Sequence, residues 1–192
     1  MRTALSIIAI ILAFIGYAPY FRDIFRGKTR PHAFTWLVWA LLTAIAFFAQ
    51  LSGGGGAGSW VTGATAVISV AVAALAFRRG RQDIVPVDWL FLAGCLLALG
   101  LWALTKGPLV SVVLVTLIDA LAFVPTFRKS YVSPESETTV TYVFSALKFT
   151  IAIAALDVKS LTTVLYPASL VLTNGLFVAM VLWRRTRLRG PL

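Results

Sequence analysis

The sequence predicts an all-α integral membrane protein, with seven transmembrane helices arranged as two parallel three-helix repeats joined by a linker helix. Three observations predict it. Hydrophobic residues make up 59% of the 192 residues and the mean hydropathy is +0.90, above the roughly 45–50% apolar content of soluble domains. The apolar residues fall into runs near the ~20 that a helix needs to cross the hydrocarbon layer. The chain also matches itself, without gaps, in the register that sets Pro19 on Pro125. So many spans in so short a chain leave no room for a separate soluble domain.

The predicted spans are 4–20, 33–51, 58–77, 87–104, 108–127, 139–156 and 161–183. They are read as helices because backbone groups in hydrocarbon must be paired within the segment, and no run shows the alternation of a barrel strand. Span 1 follows Met1-Arg2 and ends in Gly16-Tyr17-Ala18-Pro19, which is no small-x-small cleavage site, so it is read as a span and not a secretory leader. The basic connection Arg22 to Arg30 suits lipid headgroups. His32, beside Pro31, is the single histidine and makes no metal site alone. Trp36 and Trp39 open span 2 and, with Trp60, Trp89, Trp102 and Trp183, are expected in an interfacial aromatic belt. Gly53 to Gly56 cannot hold a stable helix and reads as a flexible linking turn. Cys95, the one cysteine, falls inside span 4 as a small core residue. Glu135 and Glu137 lie in the loop between spans 5 and 6, far from any metal-type partner.

Charge fixes the orientation. Thirteen of the seventeen lysines and arginines fall on one side: Arg22, Arg26, Lys28 and Arg30; Arg78, Arg79 and Arg81; Arg128 and Lys129; and Arg184, Arg185, Arg187 and Arg189. Arg2, Lys106, Lys148 and Lys159 are the remainder. Basic residues are retained in the cytoplasm, so the expected N-terminus is outside, the C-terminus is cytoplasmic, and the membrane is a bacterial inner membrane. The net charge of +10 is distributed between apolar spans, not interleaved on one solvated face, which excludes nucleic acid as a partner. Expected partners are the bilayer and a small polar solute, with homo-oligomerisation left open.

In the self-matching register, Pro19-Tyr20-Phe21-Arg22 falls on Pro125-Thr126-Phe127-Arg128, Thr35-Trp36 on Thr141-Tyr142, Leu41 on Leu147, Trp60 on Tyr166, and Arg78-Arg79 on Arg184-Arg185. The expected organisation is a first triple-helix repeat at 1–80, linker helix 4 at 81–106, a second repeat at 107–187 and a basic tail at 188–192. A three-span unit fused directly to its copy would invert it. The odd crossing of span 4 restores the orientation and makes the repeats parallel, a known transporter plan.

With this plan, and with Gly16-Tyr17-Ala18-Pro19-Tyr20-Phe21-Arg22, Gly27-Lys28-Thr29 and Trp36 echoed from Pro125, the chain resembles the PQ-loop and SWEET-like superfamily over nearly its whole length. That superfamily includes sugar facilitators, a lysosomal cystine exporter, a retrieval receptor for ER proteins and, more distantly, nicotinamide riboside transporters. Its Pro-Gln pair is altered here, with Tyr20 and Thr126 in the glutamine positions. The resemblance implies that Pro19 and Pro125 are hinges on which each bundle rocks between outward-open and inward-open states. Helix termination is the alternative reading of both prolines.

Three polar residues sit deep in the second repeat: Asp119, Lys148 and Asn174. Each is roughly 14 Å from the cytoplasmic end of its span at 1.5 Å per residue. An ionisable group there costs at least ~2.5–3.5 kcal/mol, so Asp119 and Lys148 are expected to form an ion pair with Asn174 hydrogen-bonded nearby. Their counterparts in the first repeat are Ala13, Leu42 and Ile68. The cluster lines a central pocket or fixes span 5 against span 6. The resemblance implies a pocket asparagine on the third helix of each repeat; Asn174 fits this, while the first repeat has Ile68 with Ser69 and Thr65 nearby. Thr173, Ser69, Thr65, Thr116, Ser145 and Thr43 either add hydroxyls to the pocket or satisfy helix carbonyls.

The expected function is a transporter or facilitator of a small polar organic solute (sugar, amino acid or vitamin precursor) by alternating access. Asn174, Asp119, Lys148, Thr173 and Ser69 are the expected solute-binding residues, and Asp119 is the proton-coupling candidate. The alternative is a seven-helix receptor or assembly factor that binds without transporting. No nucleophile–base pair, metal-spaced cluster or phosphate-cradling glycine motif is visible, so neither an enzyme nor a cofactor is expected.

Overall fold

The computed structural model describes residues 1–79, 83–104 and 108–189. Among them are seven α-helices and no strand: α1 Arg2–Phe25, α2 Ala33–Ser52, α3 Ser59–Arg79, α4 Pro86–Leu104, α5 Pro108–Val132, α6 Thr139–Ala155 and α7 Leu161–Arg189. Two single 3-10 turns, Gly56–Gly58 and Pro134–Ser136, lead into α3 and α6. The expected boundaries after residues 80 and 106, Arg81, Lys106, and positions 190–192 of the tail lie outside the described residues.

The helices are longer than the apolar runs. Pro19 lies inside α1, which continues to Phe25, and Pro125 lies inside α5, which continues to Val132. Helix termination is therefore the wrong reading of both prolines. Each removes one amide donor, but the turn beyond it still closes because a helix can be re-formed on the C-terminal side of a proline. Pro167 is likewise internal to α7.

Four segments, Arg2–Phe25, Ala33–Leu51, Gly56–Arg78 and Leu161–Leu188, are long and apolar enough to cross a membrane. α6 is shorter, and α5 carries Asp119, Arg128 and Lys129. Large apolar side chains face outward, as Ile7, Ile11, Phe14 and Ile15 do on α1 and Leu172 and Leu176 on α7. Polar side chains such as Thr35, Thr65, Ser69, Asp119 and Lys148 are buried inside.

The packing is interleaved. α3 packs on both α1 and α2, α7 packs on both α5 and α6, and the two triplets meet through α1 with α6 and α2 with α5. Replacing α1, α2 and α3 by α5, α6 and α7, and the reverse, maps each of these packings onto another. α4 packs mainly on α5, with a smaller contact on α2. The triplets come together tightly at Gly16 of α1, where an added Cβ would overlap the Cβ of Phe144 on α6.

The glycine turn is packed, not a free linker. Gly54 and Gly56 have φ of 77° and 57°, a region that residues with a side chain seldom occupy. A Cβ on Gly56 would also collide with the Asp157 carboxylate.

Trp60, Trp89 and Trp183 are exposed, but Trp36 and Trp39 are 1% and 9% exposed and belong to the interior, which corrects the belt assignment for that pair. Their nearness to a helix end says nothing of the direction in which they point. The side chain of Trp102 is outside the described residues.

Candidate functional site

The interior polar groups converge on a cavity between the two triplets. α2 contributes Trp36, Trp39 and Thr43, and α6 contributes Tyr142, Ser145 and Phe149. Both sets are spaced i, i+3, i+7, which places them on one helix face, and the second set is the first carried over in the register that sets Pro19 on Pro125. Tyr17, Thr65 and Ser69 complete the wall from α1 and α3. Asp119 on α5 and Tyr166, Leu170 and Asn174 on α7 complete it from the other triplet. The room for water centres is about 30 Å³, enough for roughly two waters when each needs about 10–15 Å³.

Asn174, Asp119 and Ser69 line the cavity. Asp119 is 1% exposed and accepts a hydrogen bond at 3.1 Å from the Tyr166 hydroxyl. Asn174 donates through Nδ2 to the Leu170 carbonyl at 2.7 Å, one turn back on its own helix. Lys148 does not pair with Asp119. Its Nζ donates to Thr65 Oγ1 at 2.9 Å and lies 4.9 and 4.7 Å from the ring centroids of Tyr17 and Phe149. Lys148 is fully buried and forms no part of the wall. Equal depth brings two groups to one level, but the angle around each helix decides whether they meet. Thr173 is turned away and donates to the Ser169 carbonyl at 2.9 Å, and Thr116 does the same to Val112 at 2.7 Å. For these two the helix-carbonyl reading holds.

Two threonines join the triplets beside the prolines. Thr141 of α6 donates to the Gly16 carbonyl of α1 at 2.9 Å, and Thr35 of α2 donates to the Ala122 carbonyl of α5 at 2.7 Å. Each acceptor is three residues before a proline. The donors, the acceptors and the prolines all correspond in the repeat register.

Two charged clusters were not anticipated from sequence. Glu137, 2% exposed, pairs with buried Lys129 and accepts hydrogen bonds from the hydroxyls of Tyr20 at 3.2 Å and Tyr142 at 3.1 Å. Tyr20 in turn accepts from Trp36 Nε1 at 3.1 Å, which ties the cluster to the cavity wall. In sequence Glu137 is a loop carboxylate like Glu135, and only the fold distinguishes them.

The second cluster is centred on Asp88, fully buried at the start of α4. One carboxylate oxygen meets His32 Nε2 at 3.1 Å, Arg128 at 2.9 Å and the Val85 amide at 2.9 Å. Here a signal existed, because an acid at the third helical position commonly reaches back to the amide before the helix. Burial, opposed by the Asp88 carboxylate, holds the His32 imidazole below its ordinary pKa.

Among the described residues no three His, Cys, Asp or Glu side chains gather as a metal site requires. Comparison of the chain with protein-family models, characterised proteins and solved structures gave no significant match in any of the three. The chemistry is therefore read from the cavity alone. A carboxylate, an amide, hydroxyls and aromatic rings around one small cavity can orient a solute.

Proposed function

We propose that the chain is a membrane-embedded carrier of a small polar organic solute, working by alternating access between two parallel three-helix halves joined by α4. The observation that carries this reading is a cavity built from both halves, lined by aromatic rings with a few polar groups, beneath an outer surface of exposed Ile, Leu, Val and Phe. A soluble monomer seldom exposes apolar patches beyond a few hundred Å², whereas such a surface suits lipid. The exchangeable packing of the triplets and the matched cavity triads of α2 and α6 support the duplication. The positive residues support an external N-terminus and a cytoplasmic C-terminus in a bacterial inner membrane.

In this reading Pro19 and Pro125 are the hinges. The threonine hydroxyls give the Gly16 and Ala122 carbonyls a second donor in the turn that each proline weakens, so a bend there leaves these two carbonyls with a partner. Asn174, Ser69 and Asp119 touch the solute, and Asp119 exchanges a proton as the cavity opens.

Flux into proteoliposomes, with and without an imposed pH gradient, tests the proposal. Solute uptake driven by the gradient and uncoupled in Asp119→Asn is the expected result. Uptake that responds identically in both proteins removes the coupling role. Saturable binding with no flux in either direction replaces the carrier with a receptor.

A further inference from the structure

Among the described residues, the cavity wall carries one acid and no base. Asp119 supplies the carboxylate. The Lys148 ammonium does not supply its counter-charge, because Nζ donates to Thr65 Oγ1 at 2.9 Å and lies against the rings of Tyr17 and Phe149. A buried carboxylate with only a tyrosine hydroxyl as partner lacks the counter-charge that such a group calls for.

Much of the rest of the wall is aromatic. Tyr17, Trp36, Trp39, Tyr142, Phe149 and Tyr166 all reach the cavity. The faces of such rings attract cations, tryptophan most strongly, and the attraction grows when water is excluded. The chain already uses it, since two of these rings flank the Lys148 ammonium. Trp39 adds a further requirement. It is 9% exposed, and its Nε1 donor is buried with no acceptor among the described residues.

From this wall we infer that the solute is an organic cation carrying a hydrogen-bond-accepting oxygen, with its positive centre against Asp119 and the rings and its oxygen at Trp39 Nε1. The inference rests on the carrier reading only for the identity of the site, and it narrows the solute from polar molecules at large to one charge class. Neutral sugars would leave the carboxylate uncompensated. A zwitterion would bring an anionic end for which the wall offers no cation.

The test uses the full chain in proteoliposomes and detergent, with choline and its uncharged carbon isostere 3,3-dimethylbutan-1-ol as a matched pair, and glucose and alanine as the neutral and zwitterionic arms. Tryptophan fluorescence reads binding and tracer uptake reads transport. Choline is expected to bind in preference to the isostere, glucose and alanine. Asp119→Asn should cut that preference by at least about thirtyfold, as for loss of one member of a buried charge pair, and Asp119→Glu should restore most of it. Trp39→Leu should weaken choline about 5- to 30-fold, with a smaller loss in Trp39→Phe, which keeps a ring face.

Equal binding of choline and the isostere, or a preference untouched in a folded Asp119→Asn protein, overturns the cation class. Uptake of glucose or alanine with choline excluded overturns it too while leaving a carrier. Choline bound but never moved keeps the cation class and removes the carrier. The two ideas therefore fail separately.

Discussion

The first and second helix triplets pack alike, yet they hold different residues at matching positions. Ala13, Leu42 and Ile68 are buried at 1%, 0% and 5% exposure in the first, where the second buries Asp119, Lys148 and Asn174. Pro31 and Asp23 stand in the first where the second has the paired Glu137 and Lys129. An apolar set fills these sites in one triplet without altering how the helices meet. The packing therefore does not require the polar set, and the groups in the second triplet carry a desolvation cost that the fold does not explain.

The difference can be broken or sharpened by substitution, read as unfolding free energy of the purified protein in detergent. The largest effect is expected at Glu137. Glu137→Ala strands Lys129 inside and should cost about 3–5 kcal/mol, whereas Pro31→Ala at the matching position strands no charge and should cost about 1 kcal/mol, the ordinary effect of a point change. A loss for Glu137→Ala no larger than the roughly 1 kcal/mol of an exposed pair would show that the cluster is solvated. Next come the crossing threonines. Thr141→Val removes the hydroxyl bonded to the Gly16 carbonyl and should cost about 0.5–1.5 kcal/mol. Thr35→Val should cost somewhat more, because Thr35 also accepts from Thr126 at 3.0 Å. The two sites share no partner, so a double variant departing from additivity by more than about 0.5 kcal/mol would show that the triplets move together.

A smaller effect belongs to the cluster that ties α4 to the triplets. His32 is held below its ordinary pKa by burial, so near pH 6 the unfolded chain binds more protons there than the folded one. Stability should therefore fall as pH drops below about 6.5, by no more than about 1.4 kcal/mol per pH unit. His32→Gln should flatten that slope between about pH 7.5 and 5.5; equal slopes would place the acid sensitivity elsewhere. The smallest effect is expected at Lys148. Lys148→Leu gives the second triplet the residue of the first and should change stability by less than about 1 kcal/mol or raise it, because replacing a buried charged group with a well-packed apolar one is often neutral or stabilising. A loss above about 2 kcal/mol, beyond the net worth of an ordinary hydrogen bond, would make the Thr65 contact a structural requirement.

Helix number and approximate position were legible because long apolar runs carry them directly. Helix ends were less so. Arg22, Asp23, Arg128 and Lys129 look like loop residues, but α1 and α5 run on through them because their backbones stay hydrogen-bonded whatever the side-chain polarity. Of the cavity lining, Asp119 and Asn174 are legible because polar residues deep in apolar runs turn inward, and Ser69 through its place beside Ile68, the counterpart of Asn174. The partner of Lys148 is Thr65 and not Asp119, since one sequence does not fix rotation about a helix axis. Trp36 and Trp39 were assigned outward by their nearness to a helix end, although their correspondence with Tyr142 and Ser145 in the repeat register, at identical spacing, was the signal that both pairs share one face. Glu137 left no local trace, because its burial depends on Tyr20 and Tyr142 from two different helices.

In the carrier reading, a chamber with space for about two waters takes in an organic solute only by parting its walls, so loading would swell the protein before it is filled. Work must be done against hydrostatic compression during that swelling. Turnover should accordingly slow as pressure rises, with a positive activation volume, while a rigid open channel of the same lining would be indifferent.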